Sequence, residues 1–208
     1  MKNILSLDDV VWGNPNDKSI KNMANDFGEL KGFDLSLYTS NPPPKNSSRE
    51  TIAEIEYIQS IPRDEKFIES ADNVENYFRE YIESIGYDFP IKLIKKLLNN
   101  TKPFILLLKF HYNRPRPSKI AKIHGMKLDN FFLYSMGTPS YPSGHSTQGV
   151  FISNVLADMF PEYRDELLKL GKDISISRLV SKAHYPSDSK FGEKLGLDLY
   201  KHWRNRND

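Results

Sequence analysis

Helical periodicity is the feature of this sequence that most restricts its fold. Apolar side chains recur at alternating steps of four and three, at Phe67, Ala71, Val74, Phe78, Tyr81 and Ile85. That spacing places them on one face of an amphipathic helix. No segment alternates apolar and polar residues convincingly enough to predict a half-buried strand. The patterns therefore favour an all-α fold, a bundle in which each helix buries one face.

Turn and capping residues predict where the other helices begin and end. Ser47 followed by Glu50 has the spacing of a capping box, and the helix that it opens ends near Ser60, before Pro62. Proline also suits the first turn of a helix, because its missing N–H is not needed there. The remaining predicted helices span about 91–99, 103–113, 146–160, 162–182 and 187–203.

The first 40 residues differ from the rest of the chain. They show little periodicity, and Gly13, Pro15, Gly28 and Gly32 interrupt any long element. Three consecutive prolines at 42–44 then form a stiff, extended segment. A chain of 208 residues without an internal repeat is expected to form one domain. We therefore predict an N-terminal extension over residues 1–40 and a single helical domain over residues 41–208.

Composition excludes several classes of protein. The net charge of +2 provides no strong field for nucleic acid, and the absence of cysteine excludes disulfides and thiolate metal sites. The longest apolar run, 104–108, is far shorter than the roughly 20 residues of a membrane span. Near the N-terminus, Asp8 and Asp9 interrupt a short apolar segment that would otherwise suggest a signal peptide. We expect a cytoplasmic protein without a membrane span.

Lys109 and Arg116 form the first of three segments that suit phosphate. The planar guanidinium can donate two parallel hydrogen bonds to a phosphate, while the ammonium acts as a compact charge. Arg114 also precedes a proline, but stepping back seven residues from it reaches Leu107. Arg116 is therefore the stronger candidate, and Arg114 is the weaker one. A solvated basic cluster is the alternative interpretation.

The second segment, Pro142-Ser143-Gly144-His145, precedes an apolar-patterned helix. A helix N-terminus offers free N–H groups and a dipole that favours an anion. Gly144 allows a close backbone approach, and Ser143 adds a hydroxyl donor. His145 would lie beside the phosphate, where it could protonate a leaving alkoxide. An ordinary serine-capped turn would have the same composition.

The third segment contains Arg178, His184 and Asp188. A carboxylate four residues after a histidine can accept a hydrogen bond from one imidazole nitrogen, which fixes the tautomer. The other nitrogen is then free to attack phosphorus. A surface histidine–aspartate pair at the start of a helix is the alternative.

Together the segments resemble the signature of the type-2 phosphatidic acid phosphatase and vanadium haloperoxidase superfamily: Lys-x6-Arg-Pro, Pro-Ser-Gly-His and Ser-Arg-x5-His-x3-Asp. Flanking residues such as 140–146 and 160–162 are similar to those of the soluble bacterial class A non-specific acid phosphatases. The likeness covers about residues 40–203 and implies the helical bundle of that superfamily. Class A enzymes are exported, whereas this chain shows no export signal, so a cytoplasmic or virus-encoded setting fits it better.

The resemblance also implies a role for each motif residue. It implies a metal-independent acid phosphatase that hydrolyses small phosphomonoesters through a phosphohistidine and has phosphotransferase side activity. Such an enzyme needs no cofactor, is inhibited by vanadate, and has helical relatives that often form homo-oligomers. The catalytic residues would be His184 as nucleophile, Asp188 as its orienting partner and His145 as acid; the phosphate-binding residues would be Lys109, Arg116, Arg178, Ser143 and Gly144.

Two other functions remain open at this level. A vanadate-dependent haloperoxidase would use the same pocket with His184 as the vanadate ligand, although the small size of the chain argues against it. A catalytically silent phosphate-binding or structural protein is the other, although an intact His145 and Asp188 argue against that. Among the remaining residues we expect surface or packing roles for His111, His124 and His202, and close helix packing at Gly192 and Gly196.

Overall fold

The computed structural model describes residues 6–207, and over this range it contains helices and no strand. The predicted all-α fold class is therefore confirmed. None of the helices in this range combines the length and apolar character needed to cross a bilayer. The α-helices are α1 (Asp17–Met23), α2 (Arg49–Ser60), α3 (Glu65–Asp72), α4 (Val74–Ser84), α5 (Ile91–Tyr112), α6 (Pro117–Ile123), α7 (Gly144–Met159), α8 (Arg164–Val180) and α9 (Pro186–Asn207).

Helix α7 forms the centre of the bundle. Its side chains Phe151, Ile152, Val155 and Leu156 are fully buried, and α8 and α9 pack against it most extensively. A helix that is apolar on most of its circumference must be surrounded by other elements. The N-terminus of α7 carries the second motif, so this packing places that motif inside the bundle.

Glycines allow α9 to approach α7 closely. A Cβ atom built on Gly192 would lie 2.5 Å from the carbonyl oxygen of Ser143, and one built on Gly196 would lie 2.3 Å from that of Thr147. The prediction that these two glycines serve helix packing is confirmed. The same contact holds α9, which carries Asp188, against the start of α7.

Replacing Gly196 with alanine is expected to lower the free energy of unfolding by about 1–3 kcal/mol, the usual cost of overpacking. The new methyl group would meet the backbone of Thr147, which cannot rotate away as a side chain can. Urea unfolding monitored by circular dichroism measures the change. Gly137→Ala is the matched control, because its Cβ would meet nothing closer than 3.8 Å. Equal stability of the two variants would contradict the packing interpretation.

The single helix predicted over 67–85 is wrong in one respect: it divides into α3 and α4. Asn73 has an extended backbone between them, and its side chain accepts a hydrogen bond from the N–H of Asn76 at 3.0 Å. This local cap offers the chain an alternative to continuing the helix. The apolar face nevertheless remains in the core, because Ala71 and Phe78 are fully buried.

The opposite error occurs around Pro103, where two predicted helices form the single helix α5. Proline inside a helix removes a hydrogen bond and costs about 3 kcal/mol. Ile94 and Leu97 before it, and Phe104 and Leu108 after it, are buried in the same core. Burial of each such side chain contributes about 1.5–3 kcal/mol, which outweighs the loss.

Two shorter helices, α1 and α6, were not predicted, and the cap of α2 lies one residue later than predicted. Ser48 rather than Ser47 caps α2, because its hydroxyl accepts the N–H of Thr51 at 3.2 Å. The described residues before position 41 pack on the bundle: α1 contacts α5, and Leu30 lies fully buried in the main core. The boundary near residue 40 stays a prediction.

Candidate active site

The end of α5 and the start of α6 place the first motif. Asn113 takes a left-handed conformation, with φ of 50°, and ends α5 immediately after the turn that carries Lys109. The chain then reverses so that Arg116 precedes Pro117 at the first position of α6. Both cations are almost completely buried. They line the same cavity, so the two ends of the motif meet across the turn.

A cavity of about 290 Å³ brings the three motifs together. Five of the eight predicted site residues line it, and the other three, Ser143, Arg178 and Asp188, lie behind or beside that lining. The cavity is lined by Asn22, Lys102, Ile105, Leu106, Lys109, Arg116, Ser135, Gly144, His145, Gln148 and His184.

His184 links the first motif to the third. A guanidinium nitrogen of Arg116 lies 2.8 Å from Nε2 of His184, and Nδ1 of His184 lies 3.1 Å from a carboxylate oxygen of Asp188. Because a guanidinium only donates, Nε2 must accept, and Nδ1 therefore carries the proton that Asp188 accepts. Burial and the charge of Arg116 hold the pKa of His184 well below its usual value, so the ring is neutral.

Asp188 is buried, but several hydrogen-bond donors contact its carboxylate. It accepts hydrogen bonds from Arg114 at 2.7 Å, from His184, from the hydroxyl of Ser140 and from the N–H of Tyr185 at 3.1 Å. Burial by itself raises the pKa of Asp188, but the Arg114 charge and these hydrogen bonds hold it well below the usual value. Asp188 is therefore a permanent carboxylate that fixes the His184 ring.

Arg114 holds this carboxylate from the side away from the cavity. Its guanidinium lies over the ring of Tyr185, 3.7 Å from the centroid, and also donates to Glu54 of α2 at 3.1 Å. Glu54 in turn accepts the hydroxyl proton of Ser187 at 2.9 Å. Arg114 thus positions Asp188. The repeated Arg-Pro pair in the sequence was a signal for Arg114, whereas nothing in the motifs pointed to Glu54.

Lys109 and Arg178 add two buried positive charges. Lys109 donates to the carbonyl oxygens of Pro139 and Ser140, and burial together with the neighbouring Arg116 charge lowers its pKa well below the usual value. Burial likewise lowers the pKa of Arg178. The Nη2 atom of Arg178 is buried and has no hydrogen-bond partner within the described chain. A phosphate oxygen would satisfy such a donor, and its negative charge would favour the charged form of both groups.

The end of α3 contributes an acidic residue, Asp72, that belongs to none of the motifs. Its carboxylate lies 2.7 Å from Arg178, and its carbonyl oxygen accepts from Nε2 of His145 at 2.9 Å. The same carboxylate lies 3.4 Å from that nitrogen. Asp72 is 106 residues before Arg178, so only the packing of α3 against α8 brings them together.

The second motif forms the N-terminus of α7. Ser143 is completely buried, and its hydroxyl oxygen accepts the N–H of Ser146 at 3.3 Å, so it caps the helix. Its own N–H donates to the carbonyl oxygen of Asp188 at 3.0 Å, which ties this motif to the third. Gly144 faces the cavity, where an added Cβ would meet Ile105 at 3.3 Å. Ser143 contributes to the site as a cap, and direct phosphate contact by its hydroxyl stays a prediction.

The other histidines hold backbone oxygens outside the cavity. His111 pairs with Thr39, His124 with Asn46 and His202 with Lys31, each through Nε2 at 3.1 to 3.2 Å. None of the three lines the cavity. These contacts fit the surface or packing roles expected for the three histidines.

Over the described residues, a helical bundle holds three buried cations and two histidines at or beside one cavity, an arrangement that suits an anion. This chain belongs to the PAP2 superfamily, whose family model matches residues 92–198, just over half of the chain. The matched region contains all three motifs. The superfamily predicted from the motif spacing is therefore confirmed.

Two named acid phosphatases among its relatives agree with this assignment. The chain is 27% identical over 174 residues to a non-specific acid phosphatase of Salmonella typhimurium, covering 74% of this chain and 68% of the relative. It is 27% identical to an acid phosphatase of Zymomonas mobilis, covering 76% and 65%. A solved bacterial vanadium-dependent iodoperoxidase aligns with a TM-score of 0.47 at 18% identity, covering 90% of this chain and 48% of that one. The chain thus spans about two thirds of the length of the phosphatases.

Proposed function

We propose that this protein is a metal-independent acid phosphatase that hydrolyses phosphomonoesters through a phosphohistidine on His184. One observation carries the proposal: Arg116, His184 and Asp188 form a continuous line of contacts into a cavity that also holds Lys109. The names of the two phosphatase relatives agree with it.

Substrate binding would use the buried cations. Lys109, Arg116 and Arg178 supply three positive charges in a site of low dielectric, where their attraction for a phosphate is strong. They take the role that metal ions play in other phosphatases. Arg116 donates to Nε2 of His184, so a phosphate oxygen must take over this hydrogen bond before that nitrogen can attack.

The chemical steps would follow from the tautomer of His184. The lone pair on Nε2 forms a bond to phosphorus while the bond from phosphorus to the leaving oxygen breaks, and His145 gives that oxygen its proton. Asp188 accepts the Nδ1–H throughout and stabilises the positive ring. Water then attacks the phosphohistidine, returns a proton to His145 and releases phosphate. An alcohol in the place of that water would give phosphotransfer.

His145, the acid, would become protonated only when substrate is bound. Burial first, and then the charge of Arg178, lower the pKa of His145 to about 3, while Asp72 acts in the opposite sense. A bound phosphate dianion is a nearby opposite charge and would raise that pKa again. Proton delivery is thereby coupled to occupation of the site.

We expect hydrolysis of p-nitrophenyl phosphate at mildly acidic pH, unaffected by EDTA and inhibited by vanadate. Protonation of His184 stops attack, and because its pKa is lowered, the acid limb of kcat/KM falls below the ordinary histidine value of 6.5. As the pH rises, loss of the proton from Lys109, whose pKa is also lowered, weakens phosphate binding, and His145 becomes harder to protonate as the acid. Initial rates between about pH 4 and about pH 8 measure both limbs.

Other outcomes of that experiment would replace the proposal. Absence of turnover over the whole range would leave a phosphate-binding or structural protein. Halide oxidation by peroxide after loading with vanadate, without phosphatase activity, would instead favour a haloperoxidase. An acid limb at or above the ordinary histidine value would contradict the role of His184 as a neutral nucleophile.

A further inference from the structure

A second cavity adjoins the phosphate cavity. It measures about 510 Å³ and lies between the end of α3, the start of α4 and the middle of α5. Lys102, His145 and Gln148 line both cavities, so the two adjoin at these residues. The size falls within the range of about 300–1,000 Å³ that is typical of small-molecule sites. We call it the outer cavity.

The chemistry of phosphoryl transfer points the leaving group toward the outer cavity. The attacking and leaving atoms lie on opposite sides of phosphorus. We call the phosphate cavity the inner cavity. Of the two cavities, His184 lines only the inner one, whereas His145 lies where the two adjoin. The leaving oxygen must be within reach of its acid. A substrate with its phosphoryl group on the inner cations therefore extends its organic part past His145 into the outer cavity.

The charge of the outer cavity indicates what that organic part carries. Its two acidic residues already have partners, because Asp72 pairs with Arg178 at 2.7 Å and Glu75 lies 3.8 Å from Lys95. Lys102 differs: its ammonium donates to the side-chain oxygen of Asn99 at 2.7 Å, and within residues 6–207 it forms no ion pair with a carboxylate. The unneutralised charge in this cavity is therefore positive.

We propose that the outer cavity is the leaving-group subsite and that Lys102 selects phosphomonoesters whose leaving group carries an anion, a carboxylate or a second phosphate. This inference rests on the phosphatase function proposed above. Lys102 lies seven residues before Lys109, two turns along α5, so both ammonium groups face the same side of the helix. One lysine would hold the transferred phosphoryl group and the other the charge on the leaving group.

The test compares 3-phosphoglycerate with glycerol 3-phosphate, whose leaving groups are similar in size and differ in one carboxylate. The wild-type kcat/KM is expected to be about tenfold higher for 3-phosphoglycerate, the effect of one charge-assisted hydrogen bond in a partly exposed site. Lys102→Ala should remove most of this ratio, and Lys102→Glu should invert it. Lys92→Ala is the matched control, because Lys92 is exposed on the same helix but lines neither cavity.

Two results would overturn the inference: a wild-type enzyme without preference for 3-phosphoglycerate, or a ratio that Lys102→Ala leaves unchanged. Parallel assays with p-nitrophenyl phosphate separate this failure from that of the proposed function. Wild-type turnover of p-nitrophenyl phosphate without an anion preference removes only the role of Lys102. Lack of turnover on all three substrates removes both proposals.

Discussion

Replacing His184 with alanine is expected to abolish phosphatase turnover, with kcat falling by about 10⁴-fold or more. The imidazole supplies the only atom that Arg116 and Asp188 together orient as a nucleophile in the described site. Without it, the cations still bind phosphate but no covalent intermediate forms. Steady-state rates with p-nitrophenyl phosphate measure the loss, and quenched reactions with labelled substrate show whether an acid-labile phosphoryl group remains on the protein.

His202→Ala is the matched control for that experiment. His202 lies on α9, the helix that follows His184, and it holds a backbone oxygen of Lys31 outside the cavity. Its replacement should leave turnover and labelling close to wild type. Persistent labelling of the His184→Ala variant would assign the nucleophile to another residue. Circular dichroism of both variants separates a chemical loss from a loss of the helical fold.

Replacing His145 with alanine is expected to slow the release of poor leaving groups far more than that of good ones. General acid catalysis contributes about 10²–10⁴-fold when the leaving oxygen is strongly basic. p-Nitrophenolate departs readily without a proton, whereas an alkoxide does not. A series of phosphate esters with increasingly basic leaving groups should therefore show a steeper dependence of kcat/KM on leaving-group basicity in the variant. Equal losses on all esters would refute the role of His145 as the acid.

Asp72 bears on the role of His145 as well, because it contacts both His145 and Arg178. Its charge opposes the burial and the Arg178 charge that lower the pKa of His145. It also pairs with Arg178, one of the cations assigned to phosphate in the proposed mechanism. Loss of the Asp72 charge would thus free Arg178 while making His145 harder to protonate. The balance between the two effects is a property of the packed site, since α3 and α8 carry the two partners.

The helical class of the fold could be predicted because apolar spacing reports which face each segment buries. Helix boundaries could not be predicted from the same pattern. At Asn73 the apolar spacing predicted one continuous helix, but a local side-chain cap divides it into two. At Pro103 the proline predicted a helix boundary, but burial of apolar side chains before and after it stabilises one continuous helix. In each case the result depended on the balance between a local hydrogen bond and contacts with distant helices.

The residues that line the cavity were largely predictable, whereas the contacts between them were less so. The motif spacing identified Lys109, Arg116, His145 and His184, and the structure brings all four to one cavity. The structure also shows that Ser143 caps a helix and that Arg114 positions Asp188. Motif spacing cannot separate these roles, because both residues lie within a few positions of cavity-lining ones.

By itself the sequence determined the inventory of this protein: helical segments, three cations, two histidines and one carboxylate, in the order and spacing of the PAP2 superfamily. These follow from residue identity and from local periodicity. Only the tertiary structure decided that Arg116 donates to Nε2 of His184, that Asp72 reaches Arg178, and that Lys102 faces a second cavity. Such contacts join residues far apart in the chain, and the packing of distant elements, such as α3 against α8, creates them.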